Sequence, residues 1–198
     1  MATTQFHSMN DTAPQNFDVD ALVLRAQEGD KDAFARLYDH FFDRIYRYVY
    51  FRVAPSEVDD LVEIVFIKAW INLEKYEKRD VQFSAWVFKI AHNIVIDHRR
   101  SHRPLSEITE ELEDSSEKAA PKVLTEKSMT SDLVREAVDH LKEPYRQVVT
   151  LKFLIGLSNT EIAEIMNERE GNVRVLQFRA LKELKVLLQE KGVQPEFL

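Results

Sequence analysis

From Asn172 to Lys185 the sequence sets arginine, glutamine, phenylalanine and lysine on the period of a single helix. Val173, Leu176, Ala180, Leu184 and Leu187 recur at spacings of three and four, which defines an inward face. Arg174, Gln177 or Phe178, Arg179 and Lys182 then fall on the outer face. Arginine can grip a guanine edge with two hydrogen bonds, glutamine can read adenine, and an exposed phenylalanine can touch a thymine methyl. Upstream, Ser158 and Glu161 stand at capping-box spacing and begin a short helix to Met166, with Ala163 small enough for a close crossing. Two short helices joined by a polar turn, the second cationic and aromatic outside, form a layout that places a helix in a DNA major groove.

A second group lies in Phe83–Arg103, where aromatic residues, Asn93, Asp97 and arginines follow a charged loop from Tyr76 to Gln82. Unstacked bases need a pocket, edge-reading polar groups and phosphate neutralisation, and this mixture supplies all three. Trp86 and Phe88 also suit a helix core. A third group, Asp59-Asp60-Leu61-Val62-Glu63, puts acids at a helix start, where the macrodipole favours them. The same acids could form a docking surface for a basic partner. His98 and His102 are one turn apart, but no obvious third ligand accompanies them, so a solvated basic face is expected rather than a metal site. Asp59 and Asp60 point to different faces, and the chain has no phosphate-binding glycine loop or nucleophile motif. Neither enzymatic chemistry nor a cofactor is expected.

The 198 residues carry a formal charge of −7, unfavourable for uniform contact with phosphates. The charge is unevenly placed. Ala85–Arg103 holds four cations against one acid, Arg169–Lys185 five against two, and Pro104–Ser131 three against seven. Two basic patches flanking an acidic connector fit a protein that touches nucleic acid twice. The absence of cysteine excludes disulfides and thiolate chemistry. No apolar run is long enough for a membrane span or signal segment, so a soluble cytoplasmic protein is expected.

These groups must be positioned by helices, because only four glycines and long proline-free stretches leave little room for strands and turns. Residues 1–19 read as a disordered tail. Asp18 or Asp20 can cap a first helix, and Gly29-Asp30 can end it and cap the next. That second helix carries a broad apolar face from Phe34 to Phe51. Ser56 with Asp59 starts a third helix, and Ser84 is placed to cap a fourth. The expected organisation is all-α. A bundle-like domain spans 20–103, a flexible acidic linker 104–131 (with Leu105, Ile108 and Leu112 able to form a helical turn), and a helix-turn-helix domain 132–192. In the latter, Pro144 begins one helix and Asn172 caps the last.

Phe83-x-x-Trp86-x-x-x-Ile90-Ala91-x-Asn93-x-x-x-Asp97-x-x-Arg100 and Gly156-Leu157-Ser158-x-x-Glu161-Ile162-Ala163-Glu164-Ile165-Met166, in this order, resemble bacterial sigma factors of the extracytoplasmic-function (ECF) type. The resemblance runs from about Ala21 to Leu188. It implies that Asp59, Asp60, Leu61, Glu63 and Phe66 dock on the β′ clamp helices of core RNA polymerase, with the β flap as a further contact. It also implies that the Tyr76–Gln82 loop, Asn93, Asp97 and Arg100 capture bases of the minus-ten element. Arg174, Phe178 and Arg179 correspond to minus-thirty-five contacts, beside the Gln177 and Lys182 of the outer face. An anti-sigma factor is an implied partner. Two runs depart from the family pattern, Glu63-Ile64-Val65-Phe66 and Val175-Leu176-Gln177. The alternatives are a helix-turn-helix regulator that never engages polymerase and a polymerase-binding decoy.

Overall fold

The computed structural model describes residues 17–78, 82–101 and 128–190. Among them are helices and no strand. The expected tail and the linker turn at Leu105, Ile108 and Leu112 fall outside this range, apart from Phe17–Val19.

Helix α1 (Val19–Gln27) begins where Asp18 accepts a hydrogen bond from the Ala21 amide at 3.1 Å. Gly29, at φ +92°, turns the chain, and Asp30 caps α2 (Lys31–Tyr50) through the Ala33 amide. That amide, and then the Arg25 guanidinium, hold the Asp30 carboxyl below the usual carboxylate range. Along α2 the apolar residues divide into two stripes. Leu37, Phe41, Ile45, Tyr48 and Val49 are buried, whereas Phe34, Tyr38, Phe42 and Tyr46 line a surface groove.

Helix α3 (Val58–Asn72) is preceded by a 3-10 turn at Pro55–Glu57. The expected Ser56–Asp59 pairing is replaced by Glu57, whose carboxylate accepts from the Ala54 amide at 3.3 Å, because Pro55 starts the turn earlier. Helix α4 (Phe83–Ser101) likewise begins before Ser84: the Trp86 amide already bonds to the Gln82 carbonyl. Ser84 is therefore a helical residue, with its hydroxyl available to another element. Helices α1–α4 bury Leu22, Phe41, Val65, Phe88, Ala91 and Val95 in the core of the amino-terminal lobe.

The carboxy-terminal lobe comprises α5 (Ser128–Asp139), α6 (Glu143–Val149), α7 (Asn159–Met166) and α8 (Glu170–Glu190). Pro144 sits in the first turn of α6. The helix widens into a π turn over Thr150–Leu154, and Gly156 at φ +82° redirects the chain. Ser158 and Glu161 close a reciprocal capping box on α7. Asn167 takes the left-handed conformation at φ 53°, so α8 starts at Glu170, earlier than the expected Asn172 cap. Asn172 instead donates to Glu168 at 3.0 Å. Val138, Leu141, Leu151, Ile162, Val173 and Ala180 form the core of this lobe.

The two lobes lie against each other, with α7 packed on α4. Among the described residues, no helix is long and apolar enough to cross a membrane.

Candidate docking groove and nucleic-acid interfaces

The groove between α2 and α3 encloses about 880 Å³. Its wall is aromatic because α2 carries the second apolar stripe. Phe34 meets Trp70 at 4.7 Å between ring centres, and Tyr38 meets Phe66 at 4.4 Å. Phe66 is buried at the base, while Asp59 and Glu63 stand at the rim. Asp60 is exposed, and Leu61 is buried among the lobe's core residues. Burial, followed by the charge and hydrogen bond of Asp59, pushes the Tyr46 hydroxyl pKa up, so this phenol stays protonated beside the carboxylate.

Sequence reasoning did not single out Ile67, Trp70 and Ile71 at this surface. Their exposures are 48%, 38% and 65%. A signal was available: α3 is apolar on more sides than a single buried face requires. Exposed apolar residues grouped on one helix mark a surface that gains by being covered.

On α4, Asn93, Asp97 and Arg100 are all exposed and share one stripe at spacings of four and three. At the head of the helix, Tyr76, Phe83 and Trp86 form a cluster with centroid distances of 5.2–5.3 Å. Tyr76 is buried, and its carbonyl accepts from Gln27 at 2.7 Å, so α1 anchors the start of the loop. Lys78 pairs with Asp20, and residues 79–81 are outside the described range. A cavity of about 550 Å³ opens beside Arg44, Lys78, Gln82 and Phe83. His98 lies 2.9 Å from Glu57. Among the described residues, no cluster of histidine and acidic side chains could hold a metal ion.

On α8, Arg174, Phe178, Arg179 and Lys182 occupy one exposed stripe, with Phe178 73% exposed. Arg174 reaches Glu170 at 3.0 Å on the same helix. Gln177 is half-buried, and its amide donates to Asn159 at 2.9 Å, tying α8 to the start of α7. The outer aromatic position is thus Phe178. Val175 is exposed and Leu176 partly buried, so the run Val175-Leu176-Gln177 retains an inward-facing apolar residue.

Residues 37–104 match Sigma-70 region 2, and residues 131–184 match Sigma-70, region 4. The chain is 37% identical over 172 residues to the ECF RNA polymerase sigma factor BldN of Streptomyces coelicolor, covering 85% of this chain but 65% of BldN's own length. It is 31% identical over 179 residues to the ECF sigma factor SigW of Bacillus subtilis, covering 85% of this chain and 95% of SigW. The solved structure of CnrH in complex with the cytosolic domain of CnrY has the same fold. Its TM-score is 0.69 at 24% identity, over 87% of this chain and 99% of that one. With both sigma regions in order along the chain, and nearly the whole of SigW matched, the chain belongs to the ECF RNA polymerase sigma factor family.

Proposed function

We propose that the chain is a dissociable, non-catalytic specificity subunit that binds core RNA polymerase in the cytoplasm and directs it to promoters. The observation that carries this reading is the coexistence, on separate helices, of an acid-rimmed apolar groove and two exposed stripes suited to nucleic acid. Asp59, Asp60 and Glu63, with Phe66 beneath them, would present the groove to the β′ clamp helices, and Leu61 would support it from the core. Asn93, Asp97 and Arg100 would hold bases of the minus-ten element once the duplex opens. Arg174, Phe178, Arg179 and Lys182 would contact the minus-thirty-five element in its major groove, with Gln177 orienting their helix.

Neither stripe alone has many cations, so affinity would come from polymerase holding both lobes on one DNA. Trapping unstacked bases would offset lost stacking and drive opening without nucleotide hydrolysis. The lobe division would follow 20–103 and 132–192, with the acidic connector lying along the polymerase cleft. The solved structure of CnrH holds it in complex with the cytosolic domain of CnrY, and another solved structure is of the sigma factor RpoE in complex with the anti-sigma factor NepR from Bartonella quintana. A protein inhibitor of this kind is a proposed partner here too.

The groove assignment is tested by Glu63→Arg. The residue is exposed, so its reversal is expected to leave the melting temperature unchanged while weakening core-polymerase binding about tenfold, or about 1.4 kcal/mol. Unchanged affinity in a fluorescence titration against purified core would remove Glu63 from the docking surface.

A further inference from the structure

On α8, Gln177 lies between the exposed stripe and α7, next to Phe178 and one turn after Arg174. Its side chain is half-buried, and Nε2 donates to Asn159 Oδ1 at 2.9 Å, across 18 residues of sequence. The other end of the amide, Oε1, can only accept. Among the described residues Oε1 makes no hydrogen bond, yet it does not belong to the buried polar atoms left unpartnered. It is therefore open to solvent.

Both ends of this bond are held by their backbones. Gly156, at φ +82°, turns the chain towards α7, and the Leu157 amide bonds to the Leu151 carbonyl at 3.0 Å. The Ser158–Glu161 capping box then makes Asn159 the first residue of α7. On the facing side, Val173 and Ala180 are fully buried, as is Ile162 of α7. Helix α8 cannot roll on α7 without opening that core. A glutamine on a helix surface otherwise samples many rotamers, and a bond to a fixed partner removes this freedom before DNA arrives. Asn159 thus holds Gln177 in one pose.

The held pose changes what a glutamine can read. A free glutamine grips adenine through both ends of its amide, donating to N7 and accepting from N6. With Nε2 directed at Asn159, the group left facing away from α7 is the carbonyl oxygen. In the major groove an acceptor matches the exocyclic amine of adenine or cytosine. Against guanine O6 or thymine O4 it meets another acceptor, which is repulsive.

We propose that Asn159 is a positioning residue for sequence recognition, orienting Gln177 so that Oε1 selects adenine or cytosine at one position of the upstream element. This selection rests on the sigma-factor reading and deepens it, because Gln177 then reads a base as well as tying α8 to α7. It places a base-reading group within Val175-Leu176-Gln177, one of the two runs that depart from the family pattern.

Full-length chain reconstituted with core polymerase is assayed for initiation on templates in which each upstream-element position carries each base in turn. Wild type should favour adenine or cytosine about tenfold over guanine or thymine at one position, the effect of one base contact. Gln177→Ala should erase that preference and leave the others. Asn159→Ala, which frees the amide to rotate, should flatten it to about threefold or less, with circular dichroism showing an unchanged fold. Asn159→Asp can only accept, so it should retain the wild-type preference while its added charge lowers affinity for every template alike. Uniform weakening by Asn159→Ala would make Asn159 a phosphate contact and overturn the proposal. So would an unaltered base profile in Asn159→Ala, loss of the preference in Asn159→Asp, or a guanine or thymine preference that depends on Gln177. A wild-type chain that never initiates with core overturns the sigma-factor reading itself. One that initiates with upstream preferences untouched by Gln177→Ala overturns only the role of Gln177 and Asn159.

Discussion

Phe88→Ala is expected to destabilise the amino-terminal lobe by about 3–5 kcal/mol, the range for truncating a fully buried phenylalanine. The ring is 0% exposed, lies edge-on to Tyr48 at 5.8 Å, and sits beneath the Arg44 guanidinium at 5.4 Å. Alanine would leave a cavity where α2 meets α4 and remove the apolar partner of a half-buried cation. Domains of this size have a margin of only about 5–15 kcal/mol, so the change brings the lobe close to unfolding. Trp70 and Trp86 are the chain's two tryptophans and both lie in this lobe, so their fluorescence in urea follows its unfolding selectively. Because α4 also carries Asn93, Asp97 and Arg100, promoter opening should fail at the temperature where the lobe melts. A loss below about 1 kcal/mol would mean that the site can collapse around the cavity, and that α4 is held mainly by other contacts.

The second large effect concerns α8. Arg174→Ala and Arg179→Ala are each expected to cost about 1–3 kcal/mol of discrimination at one base pair of the upstream element. Arg174 now pairs with Glu170 on the same exposed helix surface. Such a pair contributes little and is easily exchanged for a guanine edge. Lys182→Ala should instead weaken binding to all sequences alike and reduce the salt slope by about one. Competition between upstream-element variants, repeated at several salt concentrations with holoenzyme, separates the two behaviours. If Arg174→Ala and Arg179→Ala behaved like Lys182→Ala, base reading would have to be reassigned, with Phe178 and exposed Val175 next in line.

Much of this arrangement is legible in the chain because its determinants are local. Asp18, Asp30 and Ser158 cap helices where their spacing places them, since a cap needs only an acceptor and amides two or three residues away. The outward position of Phe178 and the inward one of Ala180 follow from the helical period. Features set by tertiary structure were harder to read. The α2 apolar residues look like one broad face, yet packing splits them into a core stripe and a groove wall. Ser84 looks like a cap, but its partner Glu161 is 77 residues away. Gln177 appears free to read bases, until the turn after α7 brings Asn159 within hydrogen-bonding distance. Glu143 has no local pattern at all, because its partners Arg52 and Arg99 come from other elements.

Initiation in a defined system shows whether the chain directs core polymerase to promoters. Purified chain, core polymerase and a library of promoter templates are combined, and transcript 5′ ends are mapped. Starts are expected at defined sites that share two elements about 25 base pairs apart, absent when either the chain or core is omitted. Specific duplex binding by the free chain, with no chain-dependent start on any template, would contradict this expectation and favour a DNA-binding regulator that never engages polymerase.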